Sequence, residues 1–129
     1  MSFNLNKIVR SSIKGLKPYS SARDEFTGKA DVYLDANENP FGNGLNRYPD
    51  PYQKALKKEI SKIKNICEES IILGNGSDEV IDLLFRAFCE PGKDEVIIFP
   101  PTYGMYQVCA DVNNVKTKKV PLTSDFEVD

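Results

Sequence analysis

The stretch Ile72 to Ile81 reads ILGNGSDEVI: an apolar run breaks at Gly74-Asn75-Gly76 and restarts as a helical pattern whose first turn carries two acids. Glycines leading into a helix N-terminus aim several backbone N–H groups and the positive end of the helix dipole at one spot, which suits a phosphate. The same residues also read as nothing more than a helix start. In that reading Asn75 or Ser77 caps the helix, Asp78 and Glu79 favour its positive end, and the glycines permit left-handed backbone. GNGSDE is neither a Walker loop nor a complete GxGxxG, so spacing alone leaves both readings open. The chain contains no histidine, which removes the commonest general base. Any chemistry therefore rests on Lys, Tyr, Asp, Glu or a cofactor. Cys67, Cys89 and Cys109 are far apart, odd in number and without histidine company. They argue against a metal site or a disulfide framework and for a reducing cytosol.

Composition sets the outer limits. A length of 129 residues with 40% apolar content corresponds to one domain, or part of one, with a core of its own. Seventeen basic and nineteen acidic residues give a net charge of -2, with no basic stripe to follow a phosphate backbone, so nucleic acid is not an expected partner. The N-terminal run MSFNLNKIVRSSIKGLKPY lacks a continuous apolar segment that could serve as a signal peptide or span a bilayer. The expectation is a soluble cytoplasmic protein without a membrane partner.

The elements that would position the turn follow from periodicity. Leu5, Ile8, Val9, Ile13 and Leu16 recur at helical spacing, with Gly15 and Pro18 as stops, which predicts a short amphipathic arm over 4–16. Residues 18–46 are rich in Gly, Asn, Pro and Ser, hence mostly loop, with one apolar run at 32–34. Pro51 begins a second helix with Tyr52, Leu56, Ile60 and Ile63 on one face and lysines filling the other, a solvated surface. After Cys67 come a β-rich run over 71–73, a helix over 78–89 apolar on most sides, and a continuous apolar strand over 96–99. A helix over 103–112 and a strand over 115–122 complete a strand, helix, strand, helix, strand order. That order implies an α/β fold with right-handed crossovers in a mainly parallel sheet.

Six motifs occur in order along the chain: PYSSAR (18–23), LDANENPFG (34–42), RYPDP (47–51), LGNGSDE (73–79), FCEPGKDEV (88–96) and PPTYGMY (100–106). Together they resemble the N-terminal portion of the histidinol-phosphate aminotransferases, pyridoxal-phosphate (PLP) enzymes of the aspartate-aminotransferase fold, fold type I. The resemblance implies an extended N-terminal arm with loops over 1–46 and the first, incomplete part of the large PLP-binding domain over 47–129. It further implies that Gly76, Ser77 and Asp78 cradle the PLP phosphate through backbone N–H groups, and that Tyr103 stacks on the pyridine ring. Read alone, Tyr103 is a core tyrosine. Tyr48 corresponds to a tyrosine that reaches the phosphate in the other subunit's site, which implies a homodimer with shared active sites. By itself Tyr48 is a loop aromatic. Tyr19 and Asn37 correspond to the arm and loop that close over the amino substrate, against the plainer reading in which they anchor the arm and build a turn. Arg23 could face a phosphorylated substrate, or solvent.

The activity implied is transamination of histidinol phosphate with 2-oxoglutarate and glutamate in histidine biosynthesis. Such chemistry needs a lysine that forms the Schiff base with PLP and an aspartate on the pyridine nitrogen. In the resembled family both lie beyond the position matching Asp129, and no lysine present sits in a corresponding motif. The expectation is therefore an inactive N-terminal portion, with no catalytic residue of its own and with uncovered sheet edges that leave it marginally stable or prone to aggregate. Three other readings stand beside it: a related PLP decarboxylase of a phosphorylated amino acid, a non-catalytic phosphate-binding or dimerising module, and a doubly wound nucleotide binder. The last expects an acid at the end of a strand about twenty positions after the glycines, whereas Asp94 and Glu95 fall in the turn before one.

Overall fold

The computed structural model describes residues 3–21, 25, 26 and 28–129. The chain divides into two compact units, one of Met1–Leu16 with Ile72–Asp129 and one of Lys17–Ile71.

In the first unit, helix Ser77–Phe88 leads through a turn to strand β1, Glu95–Ile98. Helix Met105–Val112 then carries the chain to strand β2, Lys116–Lys119. The strands pair in parallel, Glu95 opposite Lys116 and Ile98 opposite Lys119. Parallel neighbours need such a crossover, because a tight turn can only reverse the chain. Ile81 and Phe85 lie one helical turn apart, as do Met105 and Cys109. These stripes meet around a core of Phe85, Cys109, Ala110 and Val115, with Val96 and Cys89 packed against it. Asn113 ties the two helices on their polar side. Its amide nitrogen donates to Asp82 Oδ1 at 2.7 Å and to the Cys109 carbonyl at 2.8 Å.

Sequence and structure differ at three places in this unit and its entry. The run at 71–73 forms no strand. A strand exists only through a partner's backbone, and the Ile71 N–H donates instead to the Glu68 carbonyl at 3.1 Å, closing a single 3-10 turn. The last strand is shorter than the 115–122 pattern, although Val120 N–H still reaches the Ile98 carbonyl at 3.0 Å. The arm is two separate turns, Leu5–Lys7 and Ser11–Lys14, rather than one helix. The break falls at Arg10, whose N–H donates to the Ala87 carbonyl at 3.0 Å and whose Nη1 donates to the Arg86 carbonyl at 2.8 Å. A continuous helix would keep the Arg10 N–H for its own ladder. Val112, Leu84 and Ile97 remain exposed, so one sheet face and parts of both helices are open.

In the second unit the described residues 28–53 are loop and turn, and helix Lys54–Lys64 follows them. The helix begins three residues later than the apolar spacing predicts because Asp50 folds the chain ahead of it. The Asp50 carboxylate accepts from Tyr52 N–H and Lys54 N–H, both at 2.9 Å. These backbone donors, with the lysine charges beside them, hold its carboxyl below the usual aspartate range. Leu56 and Ile63 on the apolar face are exposed and Ile60 is half-buried.

Candidate functional site

The turn before helix Ser77–Phe88 is built by its two glycines in different ways. Gly76 occupies the cap position at φ 85°, ψ 169°, a region of backbone space open almost solely to glycine. A Cβ there would meet no atom within 4 Å, so the space beside Gly76 is open. Gly74 is crowded instead: a Cβ would lie 2.9 Å from both Glu79 Oε2 and Val80 Cγ2. Glu79 reaches back to accept from the Asn75 N–H, and the Gly76 N–H donates to the Gly74 carbonyl at 2.9 Å. Neither Asn75 nor Ser77 caps the helix, since no side-chain cap bond is formed. Of the plain helix-start reading, the side-chain cap is not built, whereas Asp78 and Glu79 do occupy the first turn and Gly76 does take a positive φ. What remains is an uncapped helix N-terminus with Ser77 and Asp78 in its first turn.

Tyr103 comes to the same turn from 25 residues away. Its hydroxyl donates to Asp78 Oδ2 at 3.3 Å. That bond, and then the carboxylate's charge, push the Tyr103 hydroxyl above the usual tyrosine range and keep its proton in place. Tyr103 is 55% exposed, so it is not a core residue here. Tyr106 meets it edge-on, with centroids 6.2 Å apart. Asp78 Oδ1 is buried and has no hydrogen-bond partner among the described residues. Gly76, Ser77, Asp78 and Tyr103 thus gather within the first unit.

Tyr19, Asn37 and Tyr48 gather within the second. They line one cavity of about 770 Å³, together with Asp35, Glu38 and Asp50. The Tyr48 hydroxyl donates to the Asn37 carbonyl at 3.3 Å. The Tyr48 N–H donates to Glu38 Oε1 at 2.8 Å, and Arg47 Nη1 donates to Glu38 Oε2 at 2.6 Å. Sequence reasoning missed Glu38 and gave Glu79 a helix-dipole role without its bond to the Asn75 N–H; both carboxylates hold these segments in shape. Loop contacts across nine residues, as from Glu38 to Arg47, have no periodicity to reveal them. Glu79 could have been found from its position three residues after the cap, where an acid commonly reaches back. Arg23 lies outside the described residues. Among the described residues no group of His, Cys, Asp and Glu could hold a metal ion, and no helix is long and apolar enough to cross a membrane.

Comparison with known proteins adds to this geometry. The profile of the family described as "Aminotransferase class I and II" matches residues 27–129. A histidinol-phosphate aminotransferase of Christiangramia forsetii is 61% identical over 129 residues, covering 98% of this chain and 37% of its own length. One from Bacteroides fragilis is 62% identical over 124 residues, 95% of this chain and 36% of the relative. One from Cytophaga hutchinsonii is 55% identical across 100% of this chain and 38% of the relative. The chain thus spans little more than a third of the length of these relatives. A solved structure from Burkholderia pseudomallei assigned to the aminotransferases shares the fold, with a TM-score of 0.54 at 21% identity over 72% of this chain and 32% of that one.

Proposed function

This chain belongs to the class I and II aminotransferases, and on that premise we propose that it supplies cofactor and substrate contacts of a histidinol-phosphate transaminase. The observation that carries this reading is the turn at Gly76: an uncapped helix N-terminus, open space beside Gly76 and Tyr103 bonded to the helix's second residue. These features fit PLP. A dianionic phosphate suits free N–H donors at the positive end of a twelve-residue helix, and a half-exposed tyrosine beside it suits a flat heteroaromatic. Bound there, PLP supplies an electron sink for charge developing at the substrate's α-carbon.

The chain's own residues do the holding. The Ser77 and Asp78 N–H groups take the phosphate, the Gly76 conformation aims them, and the Tyr103 ring covers the pyridine face. Asp78 fixes Tyr103 through its hydroxyl, so the ring's angle is set before the cofactor arrives. Tyr48 reaches the phosphate of a second copy of the chain, which makes the working form a homodimer, and Tyr19 with Asn37 closes over the amino phosphate. In this reading residues 47–129 begin the PLP-binding domain, residues 1–46 are the arm and loops, and the enzyme works in the cytoplasm. No lysine of this chain is given the proton-transfer role.

The test is glutamate formation from histidinol phosphate only when 2-oxoglutarate and PLP are present, measured with the full-length protein. Turnover that falls at least tenfold in Tyr103→Ala, with weaker PLP retention, supports the reading. Release of carbon dioxide from a phosphorylated amino acid without glutamate formation would overturn it in favour of a decarboxylase. Failure to retain PLP would remove the enzymatic reading altogether.

A further inference from the structure

We infer that Glu38 is a positioning residue that fixes Tyr48 for its contact with the cofactor phosphate, an inference that rests on the role proposed for Tyr48 above. The Glu38 side chain is only 4% exposed, although it sits in a loop whose neighbours are open to solvent. A carboxylate taken out of water is stable only with donors around it. Two of those donors come from consecutive residues of the segment nine and ten positions on: Arg47 Nη1 on one oxygen at 2.6 Å and the Tyr48 N–H on the other at 2.8 Å. Glu38 therefore joins the LDANENP and RYPDP segments through a single side chain.

The join is stiffened from both sides. The Arg47 guanidinium lies over the Tyr33 ring, 5.6 Å from its centroid, so its own orientation is limited. Asn46 Nδ2 donates to the Asn39 carbonyl at 3.1 Å, a second strap between the same two segments. Tyr48 is thus pinned at its backbone by Glu38, while its hydroxyl rests on the Asn37 carbonyl at 3.3 Å and would turn that single donated proton to a phosphate oxygen on binding. Tyr48 stays 65% exposed as a residue, so these contacts hold it without burying it. A tyrosine that must reach a ligand gains affinity when its orientation is settled beforehand.

The chemistry of Glu38 makes the idea testable by conservative change. Both named partners are donors, and a glutamine offers one acceptor oxygen, so Glu38→Gln must give up one of the two bonds. Glu38→Asp is one methylene too short to serve both segments as they stand. In the full-length protein, Glu38→Ala and Tyr48→Phe are each expected to raise the PLP dissociation constant about tenfold. The double variant should be no weaker than the weaker single one, because Glu38 acts through Tyr48. Glu38→Gln should fall between the alanine variant and the parent. In the PLP-free protein, Glu38→Ala should lower the exchange protection of the Tyr48 amide at least tenfold while amides of the helix Ser77–Phe88 keep theirs.

Multiplying losses in the double variant would overturn the inference, since Glu38 would then act independently of Tyr48. Unchanged protection of the Tyr48 amide in Glu38→Ala would overturn it even without PLP. If Tyr48→Phe leaves PLP affinity unchanged, the proposed role of Tyr48 fails separately, and the inference falls with it as far as the phosphate is concerned.

Discussion

Replacing Gly76 by alanine isolates the backbone geometry of the turn from everything around it. At φ 85° and ψ 169° the residue occupies conformational space that an L side chain enters at a cost of about 1–3 kcal/mol. No atom lies within 4 Å of the added methyl, so packing neither adds to this cost nor offsets it. A midpoint of about 2 kcal/mol is roughly a 30-fold change in an equilibrium constant. The chain can meet it in two ways. Keeping the turn lowers folding stability by that amount, and relaxing the turn moves the N–H groups and weakens PLP binding by up to that amount. The sum of the two losses is therefore the quantity to compare with the expected cost. Urea unfolding of the full-length apoprotein gives the first and PLP titration gives the second. Gly74→Ala provides the internal contrast, because its methyl would lie 2.9 Å from Val80 Cγ2 and from Glu79 Oε2. Glu79 can swing aside, though it then gives up the Asn75 N–H. Val80, stiff at χ1 within the helix, cannot. Adding Val80→Ala should accordingly recover part of the loss at Gly74 and none of the loss at Gly76. The reasoning is refuted if Gly76→Ala changes stability and PLP affinity by less than about 0.5 kcal/mol in total, or if Val80→Ala rescues both glycine positions equally.

Asp82 accepts from Arg86 Nε at 2.6 Å and from Asn113 at 2.7 Å, and these bonds, the arginine's first, hold its carboxyl below its ordinary value of 3.8. A depressed folded-state pKa gives stability that is present above the unfolded value and lost as pH falls through the folded one. Asp82→Asn should thus lower stability by about 1 kcal/mol at neutral pH, with the deficit closing below pH ~4; a deficit that stays constant from pH 7 to pH 3 in urea titrations would count against the assignment. The thiols should separate by exposure: Cys67 is exposed, whereas burial pushes the Cys109 and Cys89 thiols up and away from the reactive thiolate. A disulfide reagent at neutral pH should label Cys67 first and Cys109 only on unfolding, as peptide mapping would show; early labelling of Cys109 would mean that the core around Phe85 opens readily.

Much of the first unit was legible because its signals are local and periodic. Ile81 with Phe85 and Met105 with Cys109 announce two apolar stripes, and the Glu90-Pro91-Gly92 break announces where one ends. The resulting bounds differ from those observed by a residue or two, except at the last strand, whose polar Lys116–Lys119 pairing is fixed by β1 rather than by its own pattern. Non-local backbone partners explain the failures. The run at 71–73 has strand-forming residues, yet the Ile71 N–H closes a local turn, and the arm has helical spacing, yet Arg10 is drawn to the end of another helix. Periodicity reports which face a residue would present and is silent about which donor an acceptor will find.

The same distinction governs the candidate site. The residues proposed to touch a ligand were nameable from the sequence, since a glycine turn before a helix and an aromatic in PPTYGMY carry their chemistry in their type. The contacts that shape those residues were not: Glu38 went unnamed, and Glu79 and Asp78 were named only as acids of the helix start or phosphate turn, because their bonds to Tyr48, Asn75 and Tyr103 exist only in the folded chain. Both gatherings are held by carboxylates within their own unit: Asp78 and Glu79 around the turn, Glu38 around Tyr48. Each carboxylate binds a donor belonging to a ligand-facing segment, so the contact geometry is set in the absence of ligand. A phosphate arriving at such a site has to displace little protein structure, and its binding energy is available for holding the cofactor rather than for ordering the loops. The acids differ in what they hold. Loss of Glu38 or Glu79 should disorder a segment and weaken binding through it, whereas loss of Asp78 frees the Tyr103 ring and also removes a buried, unpartnered oxygen, Oδ1. Asp78→Asn would leave a donor as well as an acceptor at that spot, and the Tyr103 hydroxyl would lose the negative charge that holds its proton. A downward shift of the Tyr103 titration in Asp78→Asn, followed by ultraviolet difference absorbance, is the expected result; an unmoved titration would show that the hydroxyl is not bonded to Asp78 in solution.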